Sequence, residues 1–163
     1  MDHNNHNNHN NYVINLNILS EIGNKCFDIS EFTKDYPLFL TKNCIIYAID
    51  EHKNKFIFDI NLKYNIRIIG FGAIFKNKEK CHLMTFFIDP SFQNLSYGYD
   101  FLKYICKFYK KVTLHVRVSN EKALKLYQKC NFKILYVEHG YYNKTYKNED
   151  AFFMIYERKV INF

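Results

Sequence analysis

The sequence has no tryptophan, only two prolines and only five glycines. No apolar run approaches the ~20 residues that a membrane-crossing helix needs. The Asn- and His-rich start is polar throughout and lacks the charged and apolar zones of a signal peptide. No Cys-x-x-Cys pair occurs among Cys26, Cys44, Cys81, Cys106 and Cys130. An odd count without paired spacing argues against a disulfide framework and against a zinc site. Several of these cysteines stand in apolar surroundings, as reduced buried thiols of cytosolic proteins do. The expectation is a cytoplasmic protein, or one shared with the nucleus, without membrane association and without a metal. Glycine, alanine and arginine are scarce where asparagine, lysine, isoleucine and tyrosine are abundant. That bias reads as AT-rich coding DNA and carries no functional signal.

What is present suits one soluble globular domain. The chain has 163 residues, 48% of them hydrophobic and 24% charged, enough for one real core. The formal net charge is +7. A basic surface attracts nucleic acid, acidic membranes or a polyanionic small molecule. The lysines are scattered, with no compact run and no RNA-binding signature, so direct nucleic-acid binding is not expected. A phosphate-rich cofactor would use only part of this charge. Residues 1–11 read as a disordered Asn/His-rich tail; His3, His6 and His9 could hold a metal only weakly, without a packed surrounding shell. The folded domain is expected over residues 12–163.

Hydrophobic periodicity orders that domain. Alternation over residues 12–18 predicts a first strand. Residues 20–36 read as a polar-faced helix and residues 41–52, beyond Pro37, as a second one. Strands are expected at 55–60 and 66–75, with Gly70 and Gly72 marking a bulge or a close backbone approach. A polar turn leads into a strand at 81–88, which Asp89-Pro90 ends. Residues 97–110 predict a helix, with Phe101, Leu102, Ile105 and Phe108 on one face. Residues 112–118 alternate: Val112, Leu114, Val116 and Val118 share one face, Thr113, His115 and Arg117 the other. Residues 121–130 predict a helix capped by Asn120, with Asn131 just past its end where a left-handed residue is wanted. Strands at 132–137 and 151–158 flank a Tyr-rich polar loop. The pattern is an α/β sandwich around one mixed sheet of about seven strands flanked by about four helices.

The segment Leu114-His115-Val116-Arg117-Val118-Ser119-Asn120, followed by Ala123, Leu126-Tyr127 and Lys129-Cys130-Asn131-Phe132, resembles the GNAT acetyltransferase signature. The "LHV…SN" lead-in is similar to N-terminal acetyltransferases of the NatE catalytic, San type. His82-Leu83-Met84-Thr85, the Tyr141-Tyr142 pair, Asp150-Ala151 and Tyr36-Pro37-Leu38 also match that group. The resemblance spans roughly residues 12–158 and is strongest from His82 onward. It implies the GNAT fold, acetyl-CoA as cofactor and acetyl transfer to protein N-termini, Met-starting with a hydrophobic second residue. It also implies nascent or mature N-terminal peptides as substrates, and a NatA-type complex and the ribosome as further partners.

The family's cofactor pattern is Q/R-x-x-G-x-G/A at a strand end leading into a helix. Small residues let backbone N–H groups surround a pyrophosphate, and the helix terminus adds a favourable field. Here it reads Gln93-x-x-Ser96-x-Gly98, with Ser96 where the family has glycine. The resemblance assigns the cofactor to Phe86, Phe87, Ile88, Gln93, Asn94, Leu95, Ser96, Tyr97, Gly98, Asn120 and Tyr127. An ordinary strand–helix turn is the plain alternative for the motif, and helix capping for Asn120.

The chemistry needs a neutral amine, a fixed thioester and a proton for the departing thiolate. An α-amine has pKa ~7.7–8.0 against ~10.4 for lysine, so roughly one in ten is neutral at pH 7 against roughly one in two thousand. That gap, worth ~3.4 kcal/mol, suits a modest base acting on N-termini. His115 is the favoured base, because an imidazole exchanges protons readily and the matching histidine of the resembling enzymes takes the amine proton through a water. His82 stands where those enzymes carry a catalytic tyrosine. It could share the work, although two adjacent imidazoles suppress each other's protonation. Tyr127 matches the tyrosine that serves the coenzyme A sulfur; a core aromatic is its plain alternative. Tyr36, Pro37 and Leu38 against Tyr141 and Tyr142 match the peptide groove, with Leu40 replacing a family tyrosine.

Other readings are a NatF-type enzyme, a lysine or small-molecule acetyltransferase, and a non-catalytic GNAT-like subunit of a ribosome-associated complex. The NatF type carries C-terminal membrane-binding segments, whereas this sequence ends at Phe163 just after the last strand.

Overall fold

The structure, a computed structural model, describes residues 44–57, 68–78, 80–142 and 148–158. The tail at 1–11, the expected strand at 12–18, the expected helix at 20–36 and the groove residues Tyr36, Pro37 and Leu38 lie outside the described residues.

Among the described residues, seven strands form one mixed sheet in the order β2-β1-β3-β4-β5-β7-β6. They are β1 (Cys44–Asp50), β2 (Lys55–Ile57), β3 (Ile68–Asn77), β4 (Lys80–Ile88), β5 (Lys111–Arg117), β6 (Lys133–Glu138) and β7 (Ala151–Glu157). Helix α1 (Tyr97–Phe108) joins β4 to β5, and α2 (Glu121–Lys129) joins β5 to β6. The β4–β5 pair is parallel and the other strand pairs are antiparallel. Among the described residues no helix is long and apolar enough to cross a membrane.

One expected helix is a strand. Residues 41–52 were expected to wind as a helix, yet β1 pairs with β2 on one side and β3 on the other. Its apolar run lacks period-2 alternation because the strand is covered on both faces: consecutive Ala48 and Ile49 are both fully buried. A doubly covered strand cannot be told from a buried helix by periodicity, and the β-branched Ile45, Ile46 and Ile49 decide for the strand.

The core lies where β3, β4 and β5 meet the two helices. On β5, Val112, Leu114 and Val116 are buried while Lys111, Thr113, His115 and Arg117 are partly exposed. Helix α1 buries Phe101, Leu102, Ile105 and Cys106, each large apolar side chain contributing roughly 1.5–3 kcal/mol. Cys81, Cys106 and Cys130 are buried free thiols, and burial pushes them up to about 12, 12 and 11. They are packing residues, protonated at neutral pH. At Gly70 the close approach is real: a Cβ there would lie 2.5 Å from Ile88 Cδ1 and 2.8 Å from the Phe87 carbonyl oxygen.

Helix α2 is capped at both ends as its sequence implies. Asn120 Oδ1 accepts from the Ala123 N–H at 3.1 Å, and Asn131 takes φ 70° just beyond the helix.

Candidate active site

The site begins where two central strands part. The parallel β4–β5 ladder runs from Lys80↔Lys111 to Leu83↔Leu114, whereas β4 continues to Ile88 and β5 to Arg117. The register of β4 against β3 shifts between Thr85 and Leu83, leaving Met84 as the extra residue of a bulge. A bulge bends its strand and strengthens the local twist, which turns the second half of β4 away from β5. Phe86, Phe87 and Ile88 lie on this diverging half. Phe87 and Ile88 are buried. Phe86 packs between Phe101 and Tyr127, with ring centroids at 5.8 and 6.4 Å.

The turn after β4 is a backbone device. Asp89 caps a short 3-10 helix, Pro90–Phe92, by accepting from the Ser91 N–H at 2.9 Å. Asn94 and Ser96 then take φ of 64° and 66°, the left-handed region that costs a non-glycine residue roughly 1–2 kcal/mol. Ser96 is the residue before α1 and makes no side-chain cap hydrogen bond. Gly98, in the first turn of α1, sits close to α2: a Cβ there would lie 3.1 Å from Leu126 Cδ2, a tight contact. Gln93 folds inward, donating to the Ile88 carbonyl at 2.8 Å. Its side-chain oxygen accepts from Lys122 Nζ at 2.6 Å. Asn94, Leu95 and Ser96 are exposed. The N–H groups of the first α1 turn and a lysine ammonium thus stand beside one exposed turn, a combination that fits a phosphate-bearing ligand.

Two imidazoles meet on the partly exposed face of β5. His82 Nε2 lies 3.4 Å from His115 Nδ1. His82 Nδ1 lies 3.0 Å from Thr113 Oγ1, and His115 Nε2 lies 2.8 Å from Glu138 Oε2. Burial, with His115 next to it as the second cause, pushes the His82 imidazole down to about 4. His82 is therefore neutral at pH 7. Aromatic rings hold His115: Tyr141 stacks on it at 3.9 Å and 13°, and Phe153 lies at 4.9 Å.

The Tyr-rich loop is pinned beside this pair. Arg117 lies over the Tyr142 ring at 4.0 Å and donates to Glu149 Oε2 at 3.3 Å. Glu149 also accepts from the Ser119 N–H at 2.7 Å; a hydrogen bond from the Ser119 side chain first, then those from its N–H and from Arg117, lower its carboxyl against the effect of burial. The Tyr142 N–H donates to the Glu149 carbonyl at 3.0 Å. Tyr141 and Tyr142 meet edge to face at 4.8 Å.

Tyr127 is buried, its ring 5.7 Å from Phe132. Burial, with Tyr142 and then Cys130 as lesser causes, raises its phenol well above the usual range. It holds its proton at any physiological pH.

The structure brings His82, His115, Tyr141 and Tyr142 together, and separately gathers Gln93, Asn94, Leu95, Ser96, Tyr97 and Gly98 at one turn. Asn120 uses its side-chain oxygen as a helix cap. Sequence reading missed Glu138, Thr113, Glu149 and Phe153. The alternation that placed Thr113 beside His115 was a usable signal for Thr113. Glu138 reaches His115 across β7, and no local spacing encodes that contact.

Residues 16–132 match the Acetyltransferase (GNAT) family. A stretch of 75 residues is 28% identical to N-alpha-acetyltransferase 50 of Danio rerio, covering 42% of this chain and 45% of that protein. The chain thus spans less than half the length of that relative. The ribosomal-protein-S18-alanine N-acetyltransferase of Escherichia coli shares the fold with a TM-score of 0.67 at 19% identity, over 92% of this chain and 93% of that one. A GNAT family acetyltransferase from Elizabethkingia anophelis, with acetyl-CoA bound, does so with a TM-score of 0.61 at 22% identity, over 77% and 84%. With the family match covering well over half of its residues, this chain belongs to the GNAT acetyltransferase family.

Proposed function

We propose that this protein is an acetyl-CoA-dependent N-terminal acetyltransferase of the NatE type, acting on Met-starting protein N-termini by direct transfer. The observation that carries the reading is His115, a partly buried imidazole hydrogen-bonded on both nitrogens and stacked under Tyr141, beside the gap between β4 and β5. The partial likeness to an N-alpha-acetyltransferase supports the choice of an α-amine.

Acetyl-CoA supplies the acetyl group as an activated thioester. The turn Gln93–Gly98, the N–H groups opening α1, and Lys122 hold its phosphates; the parted half of β4 offers backbone along its length. Tyr127 keeps its proton at Oη, available to a thiolate sulfur. His115 is the proton acceptor toward the amine. His82 is neutral and orients the acceptor, doing without charge what the family's tyrosine does at that position. Tyr141 and Tyr142, with the segment carrying Tyr36, Pro37 and Leu38, receive the peptide. Substrates of this kind are nascent or mature N-termini in the cytoplasm, with a NatA-type complex at the ribosome as the setting.

The test is acetylation of a Met-Leu-starting peptide that also carries an internal lysine, with its α-amine free or blocked. The free peptide is expected to gain one acetyl group at its N-terminus. Equal reaction of the blocked peptide would assign the enzyme to lysine instead.

A further inference from the structure

The hydrogen bonds around His115 run in one direction. A carboxylate only accepts, so His115 must carry its proton on Nε2 to bond Glu138 at 2.8 Å. Neutral His115 then has a lone pair on Nδ1. His82 Nε2, 3.4 Å away, fills that place as a donor. Neutral His82 is left with an accepting Nδ1, which takes the Thr113 hydroxyl at 3.0 Å. Thr113 → His82 → His115 → Glu138 is therefore one chain, and its polarity is set by the carboxylate at its end. The chain also runs outward: the His115 side chain is 13% exposed and that of Glu138 43%.

We propose that Glu138 is the positioning residue of the proton acceptor: it fixes the tautomer of His115 and holds the charge that His115 gains. This rests on His115 being the base. When the ammonium group gives up one proton, the chain passes one to His115 at Nδ1, and an N–H there needs an acceptor. His82 becomes that acceptor by passing its Nε2 proton to His115 and taking the Thr113 hydroxyl proton at Nδ1, while the Thr113 oxygen takes the proton that the ammonium gives up. Thr113 then accepts from His82, and its hydroxyl turns to the Cys81 carbonyl, which stands 3.4 Å away. The pair gains one proton, the amine loses one, and every donor keeps a partner. The charge rests against Glu138, and the proton leaves by the reverse shift along the chain, so Nε2–H stays bonded to Glu138 throughout. Glu138 reaches His115 from β6 across β7.

The test combines imidazole nitrogen NMR with kinetics on the full chain, using Glu138→Gln and Glu138→Leu. Wild type is expected to show His115 as the Nε2–H tautomer, assigned by loss of its signals in His115→Gln. Glu138→Gln keeps an accepting oxygen, so the tautomer persists while kcat falls. Glu138→Leu loses the tautomer and lowers kcat by about tenfold or more, with the peptide KM changed less than about twofold. An Nδ1–H tautomer in wild type, or wild-type kcat in Glu138→Leu, overturns the proposal. If no peptide is acetylated by any form, the acetyltransferase reading fails, and the spectra still decide whether Glu138 sets the tautomer.

Discussion

The turn between β4 and α1 and the cluster around His115 are built from different materials. The turn is mostly backbone: two residues at positive φ, a helix terminus and a glycine tightly approached by Leu126. The cluster is side chains, contributed by β4, β5, β6, β7 and the Tyr-rich loop. Backbone N–H groups bind an anion and have no proton to exchange with the reaction. Imidazoles exchange protons, and their partners decide which nitrogen does so. Binding and chemistry are thus assigned to separate regions, and substitutions should divide accordingly between acetyl-CoA affinity and kcat.

The largest effect belongs to the cluster. His115→Ala should lower kcat by about 100-fold or more, read by steady-state acetyl transfer at saturating acetyl-CoA. Tyr127→Phe keeps the ring against Phe86 and Phe132 and removes one proton; kcat should fall roughly 30-fold, with the thermal midpoint nearly unchanged. His82 should show itself in acid. In the unfolded chain it takes up a proton near pH 6.5, in the folded one only near 4. The fold therefore loses stability as pH falls from 6.5 towards 4, on the order of 2 kcal/mol after discounting for partial solvent contact. His82→Phe should remove that part of the acid slope in urea melts taken at several pH values. An unchanged slope would mean that His82 is not held neutral.

Effects in the turn should be smaller and of another kind. Ser96→Gly relieves the left-handed strain and should add about 1 kcal/mol of stability while keeping or tightening acetyl-CoA binding. Lys122→Ala should raise the KM for acetyl-CoA about two- to fivefold, as an exposed charge does, and leave kcat alone. A fall in kcat with unchanged KM would break the division between the regions.

The same division explains what was legible in the sequence. The turn could be read because its elements are neighbours: Gln93, Ser96 and Gly98 lie within six positions, after a strand and before a helix. Helix α2 was equally readable, since Asn120 and Asn131 act on residues next to them. The alternation of β5 placed His115 and Thr113 on one face. Strand β1 misled because burial on both faces erases the period that distinguishes strands from helices. Glu138 was invisible for a further reason: its partner is 23 residues away and the contact passes over β7, so it exists only once the sheet order does. Gly98 was assigned to the cofactor by motif, and the structure adds a packing reason, the approach of Leu126.

The most direct measurement separates binding from chemistry in the His115→Ala variant: its acetyl-CoA dissociation constant by calorimetry, and its single-turnover rate on a free α-amine peptide by rapid quench. The expected result is an unchanged dissociation constant and a chemical step slowed by about 100-fold or more. A single-turnover rate equal to that of wild type would contradict it, as would a loss confined to acetyl-CoA binding.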